Sequence, residues 1–258
     1  MNSGDKMNYL KLTKENLESE HICCAISSNK DPQVIAKKKW LEKQLDEGLV
    51  FLKADQRGKC FIEYLPAEKA FAPIEAKDYL YIDCFWVSGS LAGHGYGDEL
   101  LEQCISEGKK KGKSGLCVIS SPKKQAFLSD PDYLKYKGFK LADQAEPFFD
   151  LLYLPFRKDA IVPKFKDKVK KPQIKESGFV IYYTADCPFT AKYVPLIEKT
   201  AKEKKISLKT IFLDTREKAQ NAPCAWTNYA VFYNGEYVTN EILSEKKLLT
   251  LAEKFGVI

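Results

Sequence analysis

From Tyr79 to Gly112 the chain reads YLYIDCFWVSGSLAGHGYGDELLEQCISEGKKKG, and few arrangements satisfy that succession. Tyr79, Leu80, Tyr81, Ile82, Cys84, Phe85, Trp86 and Val87 form a short apolar run rich in aromatics. Such a run is the pattern of a strand buried on both faces. Gly93, Gly95 and Gly97 follow at alternate positions, and the period then changes. Leu100, Leu101, Cys104 and Ile105 recur at helical spacing, with Glu99, Glu102, Gln103 and Glu107 on the wet side. Gly108 and Gly112, among lysines, mark the helix end. Strand, glycine loop and helix in that order turn backbone N–H groups toward the positive end of a helix dipole, where an anion can sit. Read alone, the turn fits two uses: an anion cradle, or a loop whose glycines only permit tight helix–strand packing.

Two alternatives for the turn are excluded. No Gly-Lys-Ser/Thr ends the motif, so it is not a P-loop. A dinucleotide fold places its glycines after the first strand, whereas here about eighty residues precede them.

The chain has 258 residues, 45% of them hydrophobic and 29% charged, which suits a globular protein of one large or two ordinary domains. No apolar run has membrane-spanning length, and the polar start MNSGDKMNY is not a secretory signal. Eight cysteines show no CxxC pair, and there are two histidines. The expectation is a cytoplasmic protein with reduced cysteines and no bound metal. His21-Ile22-Cys23-Cys24 reads as a buried turn, since no further ligand stands at metal spacing. Formal charge is +6, yet Arg157–Gly178 holds eight Lys/Arg against three Asp/Glu with Pro163 and Pro172. The excess belongs to a solvated linker, which argues against a nucleic-acid face.

Ahead of the glycine turn, Tyr9–Leu12 reads as a strand, and Thr13 caps a helix containing Asn16 and Leu17. Asp31-Pro32 opens a helix to about Glu47 that faces inward with Val34, Ile35, Leu41 and Leu45. Leu49–Ala54 and Lys59–Tyr64 make a hairpin. Beyond the turn come the strand Leu116–Ser120, a helical segment after Ser121-Pro122, and a helix with Tyr133 and Tyr136 running into Gly138-Phe139. A last strand pair covers Lys140–Ala142 and Phe148–Phe156.

Ala92-Gly93-His94-Gly95-Tyr96-Gly97 is similar to the pyrophosphate loop of the GNAT acetyltransferases, Arg/Gln-x-x-Gly-x-Gly/Ala after the fourth strand, with Ala92 in place of the usual long polar side chain. The resemblance extends in order over residues 7 to 156. It implies an α/β (α+β) GNAT fold in which parallel strands four and five splay apart to admit acetyl-CoA. It places pantetheine on Phe85, Trp86 and Val87 and the pyrophosphate on His94, Gly95, Tyr96 and Gly97, with Ser120 and Lys124 as further coenzyme contacts. Acetyl transfer needs a base for the amine and a donor for the departing thiolate. The usual donor position holds Leu134, which leaves Tyr133, or Tyr136 as the alternative. Asp83 and Glu63 sit mid-strand in apolar runs, where a carboxylate needs a partner or a raised pKa, and both are candidate bases.

After the linker, Phe179–Thr184 is a strand, Cys187-Pro188 opens a helix containing Pro195, Ser207–Leu213 is a strand, a hairpin turns at Asn234-Gly235, and Ser244 caps a final helix. Residues 177 to 258 thus resemble a trimmed thioredoxin fold. Thr190 replaces the second redox cysteine and Thr227 the cis-proline, while Cys187 and Cys224 remain as candidate reactive thiols. A domain of this kind serves dimerisation, as in a homodimer, or substrate docking. The combined layout, residues 1–156, a basic linker 157–176 and residues 177–258, is that of the YoaP-type acetyltransferases. That resemblance implies an acetyl-CoA-dependent N-acetyltransferase acting on a small-molecule or peptide amine, with neither nucleic acid nor membrane as partner. The rival reading is a redox or thiophilic-metal protein centred on Cys187 with a non-catalytic coenzyme-binding domain.

Overall fold

The computed structural model describes residues 7–258. Its larger sheet is built from β1 (Tyr9–Lys11), β2 (Val50–Ala54) and β3 (Lys59–Pro66), then β5 (Tyr79–Ser88), β6 (Gly115–Ser120), β7 (Lys140–Ala145) and β8 (Phe149–Pro155). Between β3 and β5 lies a two-residue strand, β4 (Ile74–Glu75), outside this sheet. The spatial order is β1-β2-β3-β5-β6-β8-β7. Helix α1 (Pro32–Asp46) covers one face, where Val34, Trp40 and Leu41 meet Phe51, Phe61, Tyr81 and Ile119. On the other face α2 (Tyr96–Lys110) and α3 (Pro131–Tyr136) bring Leu100, Leu101, Cys104 and Leu134 onto Ile62, Leu80, Val118 and Leu152. Truncating a side chain as enclosed as Leu100 or Leu134 to alanine costs about 2–5 kcal/mol.

The fourth strand of the sequence reading is β5, and its pairing with β6 is short. The parallel ladder holds only Tyr79, Leu80 and Tyr81 against Gly115, Leu116 and Cys117. Beyond Tyr81, β5 continues on β3 as far as Ser88, and β6 continues on β8 as far as Ser120. The two parallel strands therefore diverge into a wedge. Within β5, Ile82 pairs with Tyr64 and Cys84 with Glu63, so Asp83 is an extra, bulged residue.

The second sheet has the order β11-β10-β12-β13. Its strands are β10 (Phe179–Tyr183), β11 (Leu208–Phe212), β12 (Tyr229–Tyr233) and β13 (Glu236–Thr239). β10 and β11 are parallel, while β12 runs against both β10 and β13. Helices α4 (Pro188–Glu203) and α6 (Glu245–Lys254) pack on one face through Val194, Ile197, Leu248 and Ala252. The short α5 (Arg216–Gln220) lies on the opposite side, where Ala219 joins Leu213 and Ile211.

Several expectations need correction. Residues after Thr13 form turns, because Asn16 draws its side chain onto the backbone: Thr13 N donates to Oδ1 and Nδ2 donates to Lys11 O, at 2.8 and 3.0 Å. The segment after Pro122 is likewise not helical, with Phe127 held at φ 66°. On α1, Ile35 is 52% exposed, and Lys37 takes an inward position instead. Gly108 lies inside α2, where a Cβ would come within 2.8 Å of the Phe156 ring, and Gly112 is the residue that ends the helix. The basic segment is not a free linker. Its β9 (Lys164–Phe165) pairs with β4, Phe165 and Val169 are fully buried, and Lys170 bridges Asp143 at 3.1 Å.

The two sheets are locked together. Ala225 and Trp226, from the loop before β12, complete the core of the larger sheet, and Phe71 reciprocates among Leu213, Ala219 and Ala222. The Thr227 hydroxyl donates to Phe71 O, Arg216 pairs with Glu47 at 2.7 Å, and Asn240 Nδ2 donates to Ala126 O at 2.9 Å. The loop in which Thr227 takes the place of the cis-proline is thus an internal seam.

Candidate active site

The wedge and the glycine turn adjoin. Gly93 and Gly95 adopt φ of 82° and 81°, a left-handed conformation that costs other residues about 1–2 kcal/mol, and a Cβ on either would meet open space. Helix α2 starts at Tyr96, and its first bonded amides, Asp98 and Glu99, both donate to Gly95 O. The amides just before them have no intrahelical acceptor and point outward along the dipole. The His94 ring stacks on Tyr96, 5.5 Å between centroids. Phe85, Trp86 and Val87 lie past the last β6 partner, so their open edge faces the gap. Trp86 is half-exposed there.

Ser120 and Lys124 are placed differently from the coenzyme contacts expected of them. Ser120 is fully buried, and its hydroxyl donates to Ser129 O at 2.7 Å, closing the loop after β6. Lys124 is exposed and pairs with Asp130 at 3.0 Å. Tyr133 packs edge-on against Phe85, 5.6 Å between centroids, and its hydroxyl donates to Asp98 at 3.0 Å. Burial and the Asp98 carboxylate both push the phenol's pKa up. Tyr136 is 82% exposed and points away from the wedge's packed wall.

Asp83 and Glu63 converge, with a third carboxylate that sequence reasoning did not assign, Asp186. Ligand oxygens of the three lie within 4.8 Å of one another. Strand alternation brings them together: Asp83 follows Tyr81 on the α1 side, opposite Glu63, and the bulge sets Cys84 on that same side and Phe85 on the α2 side. Lys37 Nζ donates to Glu63 at 2.8 and 3.0 Å and to Asp186 at 2.6 Å. Asn228 Nδ2 donates to the other Asp186 oxygen at 2.6 Å. Among the described residues, no donor nitrogen reaches Asp83, which stands beside Asp186 and is half-buried.

Charge follows from that geometry. Burial, reinforced by Asp186 and opposed by Lys37, pushes Glu63 up to about 7. Burial, then Asp186 and Glu63, holds Asp83 well above the usual carboxylate range. Burial alone would discharge Lys37, but Asp186 and Glu63 outweigh it and keep its pKa well above the ordinary value. Its ammonium occupies the centre of the cluster, so the donor set does not fit a metal ion.

Cys187 and Cys224 differ from the activated pair expected. Cys187 packs with the α4 face of the second sheet and Cys224 with the opposite face, so the sheet separates them. Burial pushes each thiol up to about 12. Lys37, Asp186 and Asn228 went unrecognised in the sequence because nothing distinguishes Lys37 from its neighbours in Lys37-Lys38-Lys39, or Asp186 from an ordinary helix-preceding aspartate.

The acetyltransferase (GNAT) family model matches residues 14–126, and the YoaP-like model matches residues 207–249. A Bacillus subtilis (strain 168) protein described as an uncharacterized N-acetyltransferase, YoaP, is 42% identical over 251 residues, covering 95% of this chain and 100% of that one. Among solved structures, a GNAT acetyltransferase from Brucella melitensis in complex with acetyl-CoA is 14% identical, with a TM-score of 0.39 over 62% of this chain and 94% of its own. The Escherichia coli GNAT protein YhbS in complex with CoA is 11% identical, with a TM-score of 0.41 over 65% and 94%. The class so defined is that of the N-acetyltransferases. The chain belongs to the GNAT acetyltransferase family, in its YoaP-type branch.

Proposed function

We propose that this chain moves the acetyl group of acetyl-CoA onto a primary amine at the mouth of the β5–β6 wedge. The observation that supports it most is the succession of a strand edge unpaired beyond Tyr81, an open amide turn, and a carboxyl group on the same strand, Asp83, that no donor nitrogen among the described residues reaches. The Phe85–Val87 edge binds the pantetheine, and the amides from His94 to Gly97 take the pyrophosphate, with open space at both glycines to receive it. Acetyl-CoA supplies an activated thioester. Asp83 takes one proton from the acceptor's ammonium, the freed nitrogen attacks the thioester carbon, and the carbon–sulfur bond breaks as Tyr133 gives its proton to the thiolate. The second proton, lost from the new amide nitrogen, restores Tyr133, while the proton on Asp83 passes to solvent.

Residues 1–156 form the catalytic domain in this reading, 157–176 the connector and 177–258 a thioredoxin-like domain; residues 1–6 lie outside the described residues. The thioredoxin-like reading is supported by the order β11-β10-β12-β13 and by α4 and α6 sharing a face. Its use is docking onto the acceptor side, since its loops close that side. Among the described residues no helix is long and apolar enough to cross a membrane, and the eight cysteines are free. The cytoplasm is the location this reading assigns. Titration calorimetry with acetyl-CoA tests the proposal. Gly95→Glu, which strains the turn and sets a carboxylate where phosphate belongs, is expected to abolish binding. Absence of binding by the unaltered chain overturns the reading.

A further inference from the structure

The acceptor's chemistry can be read from the cavity beside Asp83, if the wedge is accepted as the acetyl-CoA slot. A cavity of about 290 Å³ lies between the two sheets. Cys84, Phe85 and Trp86 of β5 line one side, so it opens onto the same strand edge that would carry the thioester. Phe61, Phe127, Phe189, Trp226 and Ile242 also line it, the last three from the C-terminal half, Phe189 in α4 and Trp226 and Ile242 in loops. That volume lies at the small end of the range of ligand sites.

One end of this apolar chamber is polar and holds more carboxyl groups than cations. Glu63, Asp83 and Asp186 stand against a single buried cation, Lys37, whose three protons are engaged by Glu63 and Asp186. Lys59 is the other cationic residue in the lining and lies on the outer strand end. Asp186 has both oxygens engaged, by Lys37 and Asn228, and Glu63 has both on Lys37. Asp83 is left to accept from whatever enters. An anionic acceptor meets like charge here, whereas an ammonium completes the cluster. The loop 126–129 and Asn240, bonded at 2.9 Å, form part of the chamber wall and narrow the approach for a polypeptide.

We propose that the acceptor is a compact primary amine with an aromatic or aliphatic body, bound as its ammonium on Asp83 in a chamber that the C-terminal sheet completes. Asp186 is a positioning residue: it orients Lys37 and raises the proton affinity of Asp83 without touching the thioester. Proton release from the bound ammonium to Asp83 then precedes attack, so the atoms balance as in the transfer above.

Thiol release by the full chain with acetyl-CoA reads the outcome, with tryptamine and phenethylamine set against ethanolamine and a glycine-initiated hexapeptide. The aryl amines are expected to show a KM at least about tenfold below ethanolamine, with the peptide unreactive. Ile242→Trp, which fills the chamber, is expected to raise the tryptamine KM about tenfold or more and to leave ethanolamine within about threefold. Asp186→Asn is expected to shift the pH–rate profile of tryptamine to lower pH, because a carboxylate beside Asp83 is gone. Acetyl-CoA calorimetry on each variant checks that the coenzyme slot survives. Preference for the peptide, equal KM values across amines, or an unmoved pH profile overturns the acceptor class. Failure of the unaltered chain to bind acetyl-CoA overturns the acyl-transfer reading itself, while bound acetyl-CoA with no amine acetylated overturns the acceptor class alone.

Discussion

Lys37 and Asp186 are 149 residues apart in the chain and 2.6 Å apart in space, in a pair that is almost wholly buried. Removing the cation leaves Glu63 and Asp186 enclosed without a counter-charge, which typically costs 3–5 kcal/mol. Lys37→Met is therefore expected to lower unfolding stability by about 3–5 kcal/mol in urea titrations followed by tryptophan emission. A loss below about 1 kcal/mol would mean that the carboxylates find other partners.

A base acts only when deprotonated, and Asp83 and Glu63 both hold their protons more tightly than exposed carboxylates do. Acetyl transfer is expected to rise with pH through the neutral range, and Asp83→Asn to lower kcat about 10²–10⁴-fold and flatten that rise. Stability moves the other way. Glu63 has a folded pKa of about 7, above its unfolded value, so its contribution is full at acid pH, below the unfolded pKa, and is lost as pH climbs through 7. Thermal melts from pH 4 to 8 of the native chain and Glu63→Gln check the sign: the variant should lose that part of the decline.

Tyr133 and Tyr136 sit three positions apart but in opposite surroundings, one against Phe85 and the other 82% exposed. Tyr133→Phe is expected to reduce kcat by about 10²-fold or more with acetyl-CoA affinity retained, while Tyr136→Phe changes neither. Equal effects from both substitutions would remove Tyr133 as the proton donor.

With its thiol at about 12, Cys187 has roughly a thousandfold less thiolate at pH 7 than an unperturbed cysteine. Iodoacetamide labelling read by mass spectrometry should leave Cys187 and Cys224 unmodified while a free thiol reference reacts fully. Fast alkylation of Cys187 would revive the redox reading.

The sequence announced the wedge's parts because each has a local signature: an apolar run, then glycines, then a change of period. The pairing strand ends, by contrast, at Tyr81 for reasons that only the neighbouring loop shows, as Ser120 turns to Ser129 and β6 leads away. The carboxylate cluster was half legible. Asp83 and Glu63 stood out because they interrupt apolar strands, but Lys37 lies in an ordinary-looking lysine run and Asp186 comes from the other half of the chain. Contacts of that span carry no local pattern. Overlooking the buried Lys37 and choosing Ile35 share a cause: hydropathy ranks isoleucine inward, and only the facing carboxylates make lysine the better fit.

A strand keeps parity: odd positions face one way and even positions the other. The additional residue at Asp83 resets that parity for the remainder of β5, sending Phe85 and Val87 toward α2 and Trp86 toward the chamber. Losing Asp83 itself would leave Ile82 on Tyr64 and Cys84 on Glu63, so the walls would stay and only the carboxylate would go. A single-codon deletion in the regular stretch 84–87 would instead exchange the walls beyond it, a deeper injury than most substitutions in the same strand.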